Sequence, residues 1–303
     1  MTTRPAWLTT LMLIGLSGSY ALCFTVIKAG LAFAPPLLFG GLRALIGGVA
    51  LLGLTIVFRK PFLPPHKSWG GVLAMSLTAT TLGYGAMFLS PGRTGAGIAS
   101  VLGNTQPLLV VVLAAMFLGE RMTPGRWITL ALGLTGVTLI AWQALVTSNA
   151  YGLSGAALAL AASAGAAVGS VIFKRMQVTT GLLAVTAWQL ILGSLPLLAI
   201  SALSERSMPV IWNFQFVGQL LFLALVGTAL VSTAWYWLVQ RGQVSHLALF
   251  LFLVPVFGLG IAALVFGERV SLLEIVGSLL TVAGIGIAAI APRSRHPAVQ
   301  AAL

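Results

Sequence analysis

Apolar residues run along this chain in long unbroken blocks, separated by short clusters of Lys, Arg, Pro and Gly. The blocks cover 6–28, 36–58, 69–90, 95–118, 125–146, 152–173, 181–203, 214–238, 244–266 and 271–291. Each has about the twenty residues that a helix, rising about 1.5 Å per residue, needs to cross the hydrocarbon core. They are too long for membrane strands and lack the period-two alternation that strands require. The pattern predicts an all-α polytopic membrane protein of ten transmembrane helices. Short connections make successive helices antiparallel neighbours, and no soluble domain is visible.

The blocks repeat. Pro107 precedes Glu120 by thirteen positions, and Pro255 precedes Glu268 by the same thirteen. A shift of 148 carries Arg93 onto Arg241, Pro107 onto Pro255, Gly119-Glu120-Arg121 onto Gly267-Glu268-Arg269, and Gly136 onto Gly284. A shift of 146 carries Lys28, closing the first block, onto Lys174, closing the sixth. The chain therefore divides into two five-helix repeats, 1–149 and 150–303, within one membrane domain. Five is odd, so the second copy is inverted. Inverted repeats about an axis in the membrane plane are a hallmark of secondary transporters.

Composition agrees with a membrane protein: 59% of the 303 residues are hydrophobic and 7% are charged, and the mean hydropathy is +1.06. The net charge of +12 does not point to nucleic acid, because the cations fall singly or in pairs at block ends, with no basic stripe. They do orient the chain. With the N-terminus inside, eleven Lys and Arg face the cytoplasm and four face outward, while Arg43 lies within the second block. Both termini are expected inside. The first block is long for a signal peptide and reads as a retained span. Cys23, the single cysteine, allows no intramolecular disulfide.

Chemistry is sparse and therefore informative. Pro107 and Pro255 fall near the bilayer midplane, about 20 Å along the helix from the flanking charges. Neither can donate to the carbonyl four residues back, which frees Gly103 and Leu251. Freed carbonyls need a cavity or another helix. Asn104 and Gln106 add polar groups at the same depth. They are candidate substrate contacts, with interhelical hydrogen bonding as the competing role.

Arg43 inside a span is a functional candidate by default, able to hold a carboxylate through paired hydrogen bonds. Snorkelling to the outer interface is the alternative. Gln189 is its repeat counterpart. Tyr20, Tyr84 and Trp188 are candidates for an aromatic wall, whereas Trp237 fits an interfacial belt. The four acids, Glu120, Glu205, Glu268 and Glu274, read as structural. Glu120 and Glu268 follow helix C-termini and must find a donor, either the neighbouring Arg or an adjacent helix start, and Glu274 forms a capping box with Ser271. His246 is expected to be solvated near the inner end of the ninth span. With no acid mid-span, the site suits a zwitterion or an anion better than a cation.

The segments "NTQPLLVVVLAAMFLGERMT" and "LVPVFGLGIAALVFGERVS", together with ten spans and the Lys closing spans one and six, resemble the EamA-type branch of the drug/metabolite transporter superfamily. The resemblance covers essentially the whole chain. It implies a ten-helix basket around a central cavity, alternating between inward- and outward-open states, with Pro107 and Pro255 as hinges. It also implies a multi-pass protein of a bacterial-type inner membrane. Its activity is expected to be export of small neutral metabolites, amino acids above all, as in the family's aromatic amino-acid exporters. The alternatives are transport of nucleotide-linked, phosphorylated or drug-like compounds. A membrane enzyme lacks clustered acids and histidines here, having only His66, His246 and His296, and a channel does not suit an odd-span inverted repeat. No metal or cofactor is called for, and the expected partners are a small-molecule substrate and the bilayer.

Overall fold

The computed structural model describes residues 6–90, 102–142, 146, 153–266 and 270–290. Within them the chain is helical, without strands. The first repeat holds α1 (Ala6–Gly30), α2 (Pro36–Val57), α3 (His66–Leu89), α4 (Gln106–Leu118) and α5 (Pro124–Ile140). The second holds α6 (Leu153–Arg175), α7 (Leu182–Ser204), α8 (Phe214–Arg241), α9 and α10 (Leu272–Ile290). Helix α9 runs over Val244–Leu249, passes a 3-10 turn at Phe250–Phe252, and continues over Leu253–Phe266. Eight of these stretches are long and apolar enough to cross a membrane, while α4 and α5 are shorter.

Side chains sort as a lipid solvent demands. Trp7, Phe24, Ile56, Met116, Phe214, Leu221 and Leu279 stand exposed around the outside. Ser17, Arg43, Thr80, Gln189 and Thr228 are buried. In water this would be an inverted arrangement; in a bilayer it covers the polar groups and leaves the apolar ones to lipid. Clefts of about 310 and 480 Å³ lie between α9 and α10 and between α1 and α10, with mostly apolar walls. Neither reaches Arg43.

Two helix pairs lie on the pseudo-two-fold axis, α2 with α7 and α5 with α10. In the second pair Thr129 Oγ1 donates to the Gly284 carbonyl at 2.8 Å, and at the reciprocal crossing a Cβ on Gly277 would come 2.5 Å from the Gly136 carbonyl. Residues 129 and 136 correspond to 277 and 284 by the shift of 148. Such reciprocal contacts, i to j′ and j to i′, are what a two-fold imposes.

We call the end of the bundle where α1 begins proximal and the other distal. Each end is tied by an acid that follows one helix and caps the start of its repeat counterpart. At the proximal end Gly119 takes a left-handed φ of +64° and ends α4. The turn swings Glu120 onto α9, where its carboxylate accepts from Val244 N at 2.9 Å and Ser245 N at 3.0 Å. At the distal end Glu205, following α7, accepts from Leu37 N and Leu38 N of α2, both at 3.0 Å. An anion at a helix C-terminus is unfavourable; pointed at a neighbouring N-terminus it satisfies free N–H groups and the positive dipole end. The capping box is present too, with Ser271 N donating to Glu274 Oε2 at 2.6 Å. Glu268, Arg269 and Arg93 lie outside the described residues.

Candidate functional site

The expected straight span over 95–118 is broken. Asn104 and Thr105 form a turn, and α4 proper begins at Gln106 with Pro107 in its first turn. Pro107 has no N–H to give, and the carbonyl it frees is taken by another helix. The Ser163 hydroxyl of α6 lies 2.8 Å from Gly103 O and 3.0 Å from Leu102 O. In the other repeat the 3-10 turn precedes Pro255, and the Ser17 hydroxyl of α1 lies 2.9 Å from Phe250 O. Ser17 and Ser163 are counterparts by the shift of 146, and Leu102 and Phe250 by 148. Around Leu251 the 3-10 turn directs Leu253 N–H to the carbonyl of Phe250, three residues back. Thus both discontinuous helices are bridged by a serine at their break. Asn104 and Gln106 are partly buried beside the α6 bridge.

The second polar layer is built on α3 and α8, each of which widens into a π-helical stretch, Ser76–Leu82 and Leu225–Leu230. The stretches hold counterpart threonines, Thr80 and Thr228. Arg43 Nε donates to Thr228 Oγ1 at 2.6 Å, and Nη2 donates to the Gly227 carbonyl at 3.0 Å. Across the axis, Gln189 Nε2 donates to Thr80 Oγ1. Close approach is needed for both. A Cβ on Gly47 would lie 2.8 Å from Ala224 O, and one on its counterpart Gly193 would lie 2.6 Å from Ser76 O. The π turns, uncommon and frequent at functional sites, therefore sit where the two axial helices cross them.

Arg43 does not snorkel: it is 2% exposed. Its guanidinium lies 4.9 Å from the Tyr84 ring centroid and 6.0 Å from that of Phe88. Both acceptors, a hydroxyl and a carbonyl, are neutral, and Nη1 is buried with no hydrogen-bond partner among the described residues. Tyr20 stands within electrostatic reach of Arg43, Cys23 and Tyr84, and Tyr236 within reach of Tyr84 and Tyr20. A buried cation with an unsatisfied N–H is costly unless a ligand or water completes it. The arrangement can receive an anionic group at the guanidinium and an aromatic or apolar body against the tyrosines.

Tyr20, Tyr84 and Arg43 are thus brought together, and Gln189 occupies the symmetric position against Thr80. Trp188 is not with them. It lies near the proximal start of α7, where its Nε1–H donates to Phe62 O at 3.0 Å and its ring packs edge-on against Phe62 and Trp69. Tyr236 lies between Trp235 and Trp237 near the proximal end of α8, a position that by sequence alone suits an interfacial belt. The ring stacks on Phe173 with centroids 4.5 Å apart and is buried, because α8 is long enough to carry it below the surface. Trp235 is buried too, its Nε1–H donating to Ser170 Oγ at 3.1 Å. Trp237 keeps the interfacial position, under the Arg241 guanidinium at 3.9 Å. His246, expected to be solvated, is 7% exposed and packs against Phe250, because the start of α9 is drawn inward by Glu120.

A polytopic helical fold with pseudo-two-fold repeats, midplane helix breaks and a buried cation defines a membrane transporter architecture. The EamA-like transporter family matches the chain twice, over residues 7–142 and 153–290, and the chain belongs to that family, within the drug/metabolite transporters. It is similar to the uncharacterized transporter YvbV of Bacillus subtilis, with 31% identity over 285 residues, 94% of this chain and 92% of that protein. It is also similar to a probable amino-acid metabolite efflux pump of Salmonella typhimurium, with 30% identity over 289 residues, 92% of this chain and 94% of the relative. A solved crystal structure with 19% identity shares the fold at a TM-score of 0.78, covering 94% of this chain and 98% of the other.

Proposed function

We propose that this transporter exports small neutral metabolites, chiefly amino acids with aromatic and other neutral side chains, by alternating access. The observation that carries the reading is the unsatisfied Arg43 Nη1, buried beside Tyr84. A substrate carboxylate completes its hydrogen bonds, while a cation is repelled at the same place. The tyrosines supply an apolar wall with polar edges for the rest of the molecule. Asn104 and Gln106, at the break in α4, are the polar groups to meet substrate from the side of the first repeat, and Gln189 from the symmetric side. Pro107 and Pro255 are the hinges about which the halves of α4 and α9 tilt. The relative described as an amino-acid metabolite efflux pump supports the substrate class. Charge bias supports a cytoplasmic proximal end with both termini inside, and the bacterial relatives support an inner membrane.

Uptake into proteoliposomes tests this with tryptophan, phenylalanine, threonine, methionine, UDP-glucose and ethidium, with and without unlabelled compound preloaded. Uptake confined to the amino acids supports the proposal. Uptake of UDP-glucose alone moves the substrate class to nucleotide-linked metabolites. Uptake of ethidium overturns the electrostatic argument.

A further inference from the structure

The wall beside Arg43 is built differently from the wall at the symmetric position. Cys23 of α1 is 3% exposed. Its thiol fills the notch left by Gly227 in the π-helical stretch of α8. A Cβ on Gly227 would come 2.4 Å from Cys23 Sγ and 3.5 Å from Arg43 Nη2. Thiol and guanidinium therefore flank the same bare Cα, and Cys23 lies within electrostatic reach of Arg43.

Across the pseudo-two-fold the roles are exchanged. The shift of 146 carries Cys23 onto Gly169, and the shift of 148 carries Ala79 onto Gly227. There the side chain stands on the π-helical stretch and the glycine on the crossing helix. A Cβ on Gly169 would lie 2.5 Å from Ala79 Cβ, and one on Gly165 would lie 2.4 Å from Thr78 O. Backbone thus closes the gap between α3 and α6, whereas the Cys23 side chain stands in the gap between α1 and α8. A side chain can yield to a ligand by changing rotamer; close-packed backbones must move as a body. The charge lies on the side that can yield. The same guanidinium carries the buried Nη1 that has no hydrogen-bond partner among the described residues, which is the mark of a group awaiting a ligand.

We propose that Cys23 forms the wall of the anion site opposite Arg43, so that the group pairing with the guanidinium seats between α1 and α8, against the thiol. The inference rests on the reading of Arg43 as the place of the substrate's anionic group. Both residues are buried, so a ligand reaches them through the opening that alternating access provides.

Cys23 is the single cysteine of the chain, and the unsubstituted protein therefore carries its own probe. Two ethyl methanethiosulfonates, one ending in a sulfonate and one in a trimethylammonium, are applied to the full chain in proteoliposomes, and intact mass follows the adduct. The thiolate attacks the thiosulfonate sulfur, a disulfide joins Cys23 to the reagent's thioethyl arm, methanesulfinate leaves and the thiol proton passes to buffer. Each rate is divided by that of the same reagent with 2-mercaptoethanol, which removes intrinsic reactivity. The sulfonate should then be favoured at least about tenfold, as steering by a buried guanidinium requires. Arg43→Gln should bring the preference to within about twofold, and Arg43→Lys should keep it. No adduct, equal normalised rates, or a preference that Arg43→Gln leaves intact would overturn the proposal and make Cys23 a packing group. If Arg43→Gln does not fold, acetate decides on the unsubstituted protein: at constant ionic strength it should slow the sulfonate's reaction severalfold, and no slowing overturns the proposal. Tryptophan separates this inference from the amino-acid reading. Protection by tryptophan supports both, whereas charge-selective labelling that tryptophan does not slow supports the Cys23 wall and overturns amino acids as its occupant.

Discussion

Arg43 meets Thr228 at 2.6 Å across the crossing of α2 and α8, and the position related by the pseudo-two-fold holds Gln189 against Thr80. Backbone and threonine are repeated; charge is not. The two π-helical turns present equivalent hydroxyls to the axis, but only one receives a guanidinium. On the proposed function, an anionic substrate group would be held off the axis, on the α2–α8 side.

If that guanidinium holds a carboxylate, Arg43→Ala removes one or two charge-assisted hydrogen bonds. Apparent affinity for an amino acid should fall by about 10- to 100-fold, the equivalent of roughly 1.5–3 kcal/mol. Arg43→Lys keeps the charge but loses the fork, so it should recover only part of the affinity. Concentration-dependent uptake in proteoliposomes measures both, with expression and elution profile checking the fold. Unchanged affinity in Arg43→Ala would remove Arg43 from the site.

Gly47 and Gly193 permit the two crossings. Adding a methyl group at either brings a Cβ to 2.8 or 2.6 Å from a backbone oxygen, which the packed helices must relieve by moving apart. Each Ala substitution should cost about 1–3 kcal/mol and lower the thermal midpoint in detergent. The two effects should be similar, because the sites are equivalent. A neutral result at one alone would show that the two crossings differ.

Glu120 and Glu205 cap α9 and α2 at opposite ends of the bundle. Replacing either by Ala leaves two buried N–H groups unsatisfied and should lower the melting temperature, by the equivalent of about 1–3 kcal/mol. Gln keeps an acceptor oxygen and should be milder. The sites share no partner, so the double Ala variant should show nearly additive loss. Strong non-additivity would mean that the two ends communicate through the bundle.

Ser163 and Ser17 bridge the breaks in α4 and α9. Ser163→Ala strips a donor from the carbonyls of Gly103 and Leu102, at a cost of about 1–3 kcal/mol. Pro107→Ala instead supplies an N–H that can close onto Gly103 and straighten the helix. If the break is the hinge, Pro107→Ala should slow transport while leaving substrate affinity nearly unchanged. Equal turnover in this variant and the parent would exclude a hinge at Pro107.

Much of this was legible in the sequence because it depends on order along the chain. The apolar blocks, the repeat shifts, the helix-breaking effect of Pro107, the capping box of Ser271 and Glu274, and the need of Glu120 for a donor all follow from local chemistry and spacing. Burial of Arg43 did not follow from the sequence, which left snorkelling to the outer interface open; the structure decided it. What the sequence could not name were partners. Ser163 and Gly103 are 60 residues apart, Glu120 and Val244 are 124 apart, and Arg43 and Thr228 are 185 apart. Which helix faces which is set by close packing of small residues and by the two-fold, neither of which leaves a mark at a single position. The same reason displaced Trp188 to the proximal aromatic cluster, buried His246 and Tyr236, and gave Lys174 three carbonyls of the α8 end. The sequence by itself determined a membrane protein with two inverted halves and a cation within a span, because hydrophobic length, charge bias and periodicity act locally. Only the tertiary structure decided which polar groups were satisfied and which were left for a ligand, because a hydrogen bond needs two groups within about 3 Å, and helices far apart in the chain supply them.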